Sequence, residues 1–289
     1  PFAPVLAKLR SLKPMAAMLA LAPRRVSRKK DASVEQISRK RGRVAIMRGC
    51  VEPVLRPEFQ FAAARVLGRA GFEIVEAPGE GCCGALVHHL GRETDALIAA
   101  RRNVDAWTAL VEDGGLEAII ITASGCGTTV KDYGFMLRHD PEYREKSDRI
   151  ASLAVDISEF LAGQEQAPAD HRGIRVAYHS SCSLQHGQQI SDAPVRLLEA
   201  AGYDVETPKE SHLCCGSAGT YNVLQPDIAA QLGERKARHL SALDADVIAT
   251  GNIGCATHLA ARTAAPVVHT VELLDWAAGG PEPAAMTNG

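Results

Sequence analysis

The tripeptide Cys-Cys-Gly of Gly81-Cys82-Cys83-Gly84 recurs later in the chain in Leu213-Cys214-Cys215-Gly216, and the two copies anchor a repeat that includes every cysteine. A lone cysteine precedes each pair by 31 intervening residues, and another follows it after 42 residues in the first copy and 39 in the second. The quartets are Cys50, Cys82, Cys83 and Cys126, then Cys182, Cys214, Cys215 and Cys255. Two quartets of soft thiolates suggest two sites for a soft metal or an iron–sulfur cluster.

The repeat extends beyond the cysteines. The first unit opens with Arg43-Val-Ala-Ile-Met-Arg-Gly-Cys50 and the second with Arg175-Val-Ala-Tyr-His-Ser-Ser-Cys182. Both patterns predict a short buried strand that ends near a cysteine. Each unit then continues with a helix, a strand, the Cys-Cys loop, a long helix, a strongly apolar third strand and a fourth strand with its helix. The predicted fold class is therefore α/β, with two tandem homologous cysteine-rich units, each a small parallel sheet of about four strands flanked by helices.

The predicted elements follow the same order in both units. In the first unit we expect helices over 59–70 and 94–112 and strands over 72–76 and 116–121, with an insertion over 135–152. In the second we expect helices over 193–201 and 226–240 and strands over 203–206 and 245–249. The cysteines all follow strands, and the carboxyl ends of parallel strands meet at one edge of a sheet. Each quartet should therefore gather at one edge.

The expected division of the chain is a basic linker or amphipathic arm over residues 1–42, a first cysteine-rich domain over 43–170 and a second over 171–289. Residues 1–43 carry a net charge of +10, although the whole chain carries −2. A basic arm suits an acidic partner or an anionic membrane face as well as a solvated linker, and we expect no nucleic-acid partner. No apolar run reaches the ~20 residues of a membrane span. We expect a cytoplasmic protein, peripheral at the inner face of the membrane.

Three interpretations of the quartets remain open. Four thiolates suffice for a [4Fe–4S] cluster in each unit. Zinc also takes four thiolates, and zinc at one site is retained as an alternative, although the short C-x-x-C knuckles typical of zinc are absent from the sequence. Buried or redox-active free cysteines are the third interpretation. His258, three residues after Cys255, is a candidate extra ligand, while Thr129 stands at the matching position of the first unit.

The sequence also bears on nucleotide cofactors. It contains neither a G-x-G-x-x-G fingerprint after a strand nor a G-x-x-x-x-G-K-[ST] loop. A dinucleotide or nucleoside triphosphate site in this chain is therefore unsupported, and no segment indicates a flavin site.

Several stretches resemble the iron–sulfur subunit of bacterial glycolate oxidase (glycolate dehydrogenase), from Arg43 almost to the end of the chain. They are Gly81-Cys-Cys-Gly-Ala85, Thr122-Ala-Ser-Gly-Cys-Gly127, Asn103-Val-Asp-Ala-Trp107, Cys182-Ser-Leu-Gln-His186, Ser211-His-Leu-Cys-Cys-Gly-Ser-Ala-Gly-Thr-Tyr221 and Asn252-Ile-Gly-Cys-Ala-Thr-His-Leu259. The chain is similar to the C-terminal portion of such a subunit, with its two cysteine-rich "CCG" domains. It also resembles the related cysteine-rich subunit of heterodisulfide reductase.

The resemblance implies an electron-transfer role. FAD-binding glycolate oxidase subunits would oxidise glycolate to glyoxylate, and this chain would pass the electrons through its clusters toward a membrane quinone. It would then be a non-flavin subunit of an oxidoreductase that does not turn over substrate alone. The alternatives are a disulfide-reductase-like catalytic subunit and the iron–sulfur subunit of a lactate or glycerol-3-phosphate dehydrogenase.

The sequence departs from the family pattern at two points. The closely spaced cysteine runs of an N-terminal ferredoxin-like domain are absent, so the chain is similar to the C-terminal two-thirds of such a subunit. The heterodisulfide reductase type also ends each unit with C-x-x-C, which here becomes Cys126-Gly-Thr-Thr129 and Cys255-Ala-Thr-His258. This favours one-electron transfer through four-cysteine clusters over disulfide chemistry.

Overall fold

The computed structural model of the chain describes residues 41–164 and 173–287, together with Leu12, Met15 and Leu19. The predicted arm over residues 1–42 lies almost entirely outside the described residues. The described part contains two four-stranded sheets, and every strand pair in both is parallel. The predicted α/β fold with two small parallel sheets is confirmed.

The first unit holds one sheet and, among the residues described, eight helices. Its strands are β1 (Gly42–Ile46), β2 (Phe72–Val75), β3 (Ala118–Ile121) and β4 (Ala154–Asp156). Its helices are α1 (Glu52–Leu55), α2 (Glu58–Arg69), α3 (Ala85–His89), α4 (Glu93–Glu112), α5 (Ser124–Lys131), α6 (Tyr133–Met136), α7 (Arg144–Leu153) and α8 (Ile157–Ala162). Helix α7 lies in the predicted insertion between β3 and β4.

The second unit repeats the arrangement, with six helices and one π-helical turn over residues 173–287. Its strands are β5 (Arg175–His179), β6 (Asp204–Glu206), β7 (Val247–Thr250) and β8 (Val267–His269). Its helices are α9 (Ala193–Ala200), α10 (Tyr221–Leu224), α11 (Pro226–Ser241), α12 (Ile253–Ala260), α13 (Thr270–Ala277) and α14 (Ala284–Thr287), and the π-helical turn spans Ser183–Gly187.

The strand order creates a crevice in each sheet. The orders are β2-β1-β3-β4 and β6-β5-β7-β8, so the first strand of each unit lies between its second and third. The connections therefore leave the two central strands in opposite directions. In open α/β sheets, ligands bind beyond the carboxyl ends of the strands at such a switch point. Cysteines follow the central strands at these two positions: Cys50 and Cys126 come after β1 and β3, and Cys182 and Cys255 after β5 and β7.

A shared apolar core joins the two sheets. Alternate side chains of a strand point to opposite faces. Ile120 therefore contributes to the core between the sheets, whereas Ile119 and Ile121 belong to a separate core under α4. The shared core also takes residues from α2, α8, α9 and α13, which form a helical layer between the sheets. The cysteine-bearing edges are thus carried by one continuous packed structure.

Ion pairs reinforce the contact between α2 and α13. The buried carboxylate of Asp275 accepts hydrogen bonds from the Nε and Nη2 atoms of Arg65, at 2.9 and 2.7 Å, and from Arg69 Nη1 at 2.6 Å. Only 1% of the Asp275 side chain is exposed, so the charge depends on these two guanidinium groups. The pairing fixes the first unit against the second.

Candidate metal centres

The four cysteines of the first unit lie together at the carboxyl edge of its sheet. Cys50 follows β1, Cys82 and Cys83 lie between β2 and α3, and Cys126 lies in the first turn of α5, directly after β3. The Sγ atoms of Cys50 and Cys82 are 3.5 Å apart, and the side chain of Cys126 raises the pKa of the neighbouring Cys83 thiol. The structure therefore brings together the whole predicted quartet, with all four thiols free.

The Cys-Cys loop of the first unit is held by α4. The Asn103 side chain, which is fully buried, accepts a hydrogen bond from Gly81 N–H at 2.8 Å and donates one to the Cys82 carbonyl at 3.1 Å. Gly84 has a φ of +87° and donates its N–H to Cys82 Sγ at 3.5 Å. The loop thus supplies a backbone donor to a cysteine sulfur, an arrangement that stabilises a thiolate.

The second quartet repeats this geometry. Cys182 precedes the π-helical turn after β5, Cys214 and Cys215 follow β6, and Cys255 lies in the first turn of α12 after β7. The Sγ atoms are 3.8 Å apart between Cys182 and Cys214, and 3.2 Å apart between Cys215 and Cys255. Both predicted quartets are therefore assembled at equivalent edges of the two sheets.

The loop of the second unit is held by a cation instead of an amide. Lys236, only 2% exposed, donates from Nζ to the carbonyl of Glu210 at 2.6 Å and to that of Ser211 at 3.4 Å. Its place on α11 matches that of Asn103 on α4, since each side chain binds the backbone of the loop that carries the cysteine pair. The two sites consequently differ in the charge next to them.

Sequence reasoning missed Lys236. The buried residues of α11 include Ala229, Gly233, Ala237 and Leu240, a stripe with helical spacing. Lys236 falls within that stripe, so a lysine at a position expected to be apolar was the available signal.

Interactions among the thiols lower the pKa of Cys82 in the first quartet and of Cys214 and Cys255 in the second. Hydrogen bonds from Cys50 and Cys83 lower the pKa of the Cys82 thiol, helped by the Gly84 N–H. In the second unit, hydrogen bonds from Cys182 and Cys215 lower the pKa of Cys214. Metal ligation needs the thiolate form, so each site holds a thiol that is prepared to bind a soft metal.

A buried histidine lies beside the second quartet. His179 is the last residue of β5 and is fully buried, and within the described residues neither of its ring nitrogens has a partner at good hydrogen-bond geometry. Its ring nitrogen lies within 4.8 Å of the Sγ atoms of Cys215 and Cys255. The Cys215 thiol, and to a smaller extent the His179 ring, lower the pKa of the Cys255 thiol to about 6. A metal–thiolate centre fits this arrangement, because it would be the common partner of the thiolates and of the imidazole.

The candidate extra ligand His258 has a different environment. Its Nε2 is 3.2 Å from the carbonyl oxygen of Ala229 on α11, and burial lowers its pKa. Its ring is not in the group formed by His179, Cys215 and Cys255. Ligation by His258 stays a prediction.

Direct hydrogen bonds join the two cysteine-bearing edges. The Ser124 hydroxyl, at the start of α5, lies 2.8 Å from that of Ser181 and 2.7 Å from that of Ser183. Asn252 caps α12 by accepting the Gly254 N–H at 2.8 Å, and its amide donates to Ser124 Oγ at 2.9 Å. The residue before Cys182 and the cap of the helix that carries Cys255 thus both contact the helix that carries Cys126.

A cavity of about 690 Å³ lies between the two edges. Its wall includes all four cysteines of the first quartet and Cys255 of the second. The segment 217–224 of the second unit also lines it. The first site is therefore open to a space that reaches the second.

The fold and the two sites define a class of protein: a tandem α/β protein that gathers four cysteines at the edge of each of two sheets. The model of the family described as "Cysteine-rich domain" (CCG) matches residues 44–131 and 176–260. The two matches together cover more than half of the chain, and each contains the whole cysteine quartet of its unit and ends before the fourth strand of the sheet. The chain belongs to the cysteine-rich (CCG) domain family.

Curated relatives carry names that agree with these sites. The chain is 41% identical over 240 residues to the "Glycolate oxidase iron-sulfur subunit" of Escherichia coli, covering 83% of this chain and 59% of that protein. It is 30% identical over 217 residues to the "Probable glycolate oxidase iron-sulfur subunit" of Bacillus subtilis, covering 74% and 48%. It is 25% identical to "Lactate utilization protein A" of Geobacillus kaustophilus, covering 81% and 98%. The chain therefore spans about half to three-fifths of the two glycolate oxidase relatives.

A solved structure shares the fold. The "Crystal structure of a hypothetical protein from Helicobacter pylori" superposes with a TM-score of 0.61 at 14% identity, covering 97% of this chain and 56% of that chain. Within the described residues, no helix has both the length and the apolar character needed to cross a bilayer.

Proposed function

We propose that the chain is the iron–sulfur electron-transfer part of a glycolate-oxidising complex, with a [4Fe–4S] cluster held by each quartet. The observation that carries the proposal is the convergence of two complete, free cysteine quartets at equivalent sheet edges. The names of the two glycolate oxidase relatives support iron–sulfur chemistry and the choice of complex.

The residues of the chain have separate tasks in this proposal. Bound clusters would supply one-electron oxidation and reduction. The two cysteine quartets supply their thiolate ligands, and the N–H groups of Gly84 and Gly216 donate to Cys82 and Cys214 at 3.5 and 3.3 Å, which offsets negative charge on the sulfurs. Hydrogen bonds between the edges through Ser124 and Asn252 keep the two sites adjacent, as electron transfer between them requires.

The rest of the complex would supply the substrate chemistry. FAD-binding subunits oxidise glycolate to glyoxylate, and a membrane quinone takes the electrons from the complex. On this proposal the chain does not turn over substrate alone, acts in the cytoplasm and lies peripherally at the inner face of the membrane.

Lactate is a second candidate substrate for the complex. Two relatives named "Lactate utilization protein A" align with 81% of this chain over nearly their whole length, whereas the alignments cover only 59% and 48% of the glycolate oxidase relatives. Their identity to the chain is lower, at 25%, so glycolate remains our first proposal.

Site-specific variants test the cluster assignment. Cys82→Ser should remove iron and sulfide from the first site alone, and Cys214→Ser from the second alone. Ile98→Ser, at an exposed position of α4, is the matched surface control and should keep both. Iron content that is unchanged in both cysteine variants would refute the assignment.

A reduction experiment tests the choice of complex. Purified chain with its clusters is mixed without oxygen with a glycolate-oxidising flavoprotein, and in parallel with a lactate-oxidising one, while the visible absorbance of the clusters is followed. Glycolate with the first flavoprotein should bleach the absorbance faster than lactate with the second. Bleaching by the lactate pair alone would replace glycolate by lactate in the proposal.

A further inference from the structure

His179 is a buried polar side chain in need of a partner. It is 0% exposed, and both ring nitrogens lack a well-formed hydrogen bond among the described residues. A buried polar group without a partner is destabilising, and most such groups in native structures are satisfied. Of the described side chains, the Cys255 thiol interacts with the ring without a well-formed hydrogen bond, so a further partner would satisfy His179.

The surroundings of His179 indicate what that partner is. Its ring nitrogen and the Sγ atoms of Cys215 and Cys255 all lie within 4.8 Å of one another. In the part of the chain that the structure describes, no other three His, Cys, Asp or Glu side chains form such a group. Imidazole and thiolate are ligands that zinc and iron accept together.

The first unit provides an internal comparison. His179 lies three residues before Cys182, and Met47 lies three residues before Cys50. Both are buried, with Met47 3% exposed; His179 is the last residue of β5 and Met47 directly follows β1. The same position of the fold therefore holds an apolar side chain beside the first quartet and an imidazole beside the second.

We propose that His179 ligates the metal centre of the second site, so that this site has a mixed imidazole–thiolate donor set and the first site has thiolates alone. The inference rests on the proposed function, because it concerns the centre held by the second quartet. A [4Fe–4S] cluster takes four protein ligands, so His179 as a ligand would take the place of one thiolate of the second quartet. A neutral imidazole in place of an anionic thiolate raises the potential of an iron–sulfur centre, as in Rieske centres. The second site should therefore have a higher reduction potential in the wild-type chain than in His179→Met.

Labelled histidine gives a readout that does not depend on activity. The Cys82→Ser chain, which leaves only the second site filled, is prepared with ¹⁵N-histidine, loaded with iron and sulfide, reduced with dithionite and measured by electron–nuclear double resonance. We expect a strongly coupled ¹⁵N signal from one directly bound nitrogen. This signal should disappear when His179→Met is added, a substitution that introduces the residue found at the same position of the first unit. It should persist when His258→Thr is added instead.

Other results overturn the inference. An absent signal, a coupling as weak as that of a hydrogen-bonded nitrogen, or a signal that persists in His179→Met would each exclude ligation by His179. Metal and sulfide analysis of the same sample separates this failure from failure of the proposed function. If the second site takes zinc, X-ray absorption at the zinc edge should show a nitrogen at about 2.0 Å beside sulfurs at about 2.3 Å, and a sulfur-only shell refutes the inference.

Discussion

The substitution Gly216→Ala tests why a glycine must follow each cysteine pair. Gly216 has a φ of +95°, in the region that L side chains rarely adopt. A Cβ there would lie 2.4 Å from the carbonyl oxygen of Ala229 and 3.1 Å from the Cβ of Leu232, both on α11. The first contact is with backbone, so the loop and the helix would have to move apart.

The expected loss of stability has two parts. A Cβ in the left-handed region is unfavourable by about 1–2 kcal/mol, and overpacking a well-packed contact adds about 1–3 kcal/mol. Gly216→Ala should therefore lower the free energy of unfolding by about 2–5 kcal/mol. Gly49 is the matched control, because its φ is +64° and nothing lies within 4 Å of a Cβ there. Gly49→Ala should show only the first part, about 1–2 kcal/mol.

Urea unfolding of the reduced, metal-free chain, followed by far-UV circular dichroism, measures both variants. In the metal-free form, a change in the free energy of unfolding reports packing and backbone strain and contains no contribution from metal binding. Equal losses in Gly216→Ala and Gly49→Ala would refute the argument that α11 excludes a side chain at Gly216.

Three further variants have expected outcomes in the same unfolding assay. Replacing Arg65 and Arg69 together by Ala leaves the buried Asp275 carboxylate without these two cations, and should destabilise the chain by about 3–5 kcal/mol; a loss below about 1 kcal/mol would show that the pairing is not needed. Lys236→Met removes the donor to two loop carbonyls and should destabilise by about 2–3 kcal/mol, and unchanged stability would contradict that role. Burial raises the pKa of Asp156 to about 6 from its ordinary 3.8. The protonated carboxyl therefore contributes fully to the free energy of unfolding below about pH 4, and this contribution is lost as the pH rises through 6. The free energy of unfolding of Asp156→Asn, relative to wild type, should therefore increase by about 3 kcal/mol between about pH 4 and pH 8. A difference between variant and wild type that does not vary with pH would contradict this prediction.

The repeat made most of the fold predictable from the sequence. Local patterns such as the apolar run before Ser124 and the cysteine after each first strand indicated the order of strands and helices. Parallel pairing followed from their alternation. Cys126, however, was expected at a strand end, and the structure places it in the first turn of α5. Short helices that begin almost directly at a strand end have too few residues to show a helical period.

The contacts between the units could not be predicted. Arg65 and Asp275 are 210 residues apart, and the contacts of Ser124 with Ser183 and Asn252 span 59 and 128 residues. Such pairs leave no periodic signal along the chain. His179 was visible beside Cys182, but only the three-dimensional packing reveals that its ring nitrogens have no well-formed hydrogen bond among the described residues.

The central claim is that two cysteine quartets hold two iron–sulfur clusters. Its most direct test is the content of iron, zinc and acid-labile sulfide in chain purified without oxygen, with an electron paramagnetic resonance spectrum after dithionite reduction. Two [4Fe–4S] clusters require about eight irons and eight sulfides per chain, and a reduced-cluster signal. Zinc with little iron and no sulfide would contradict the claim and make the chain a thiolate-zinc protein.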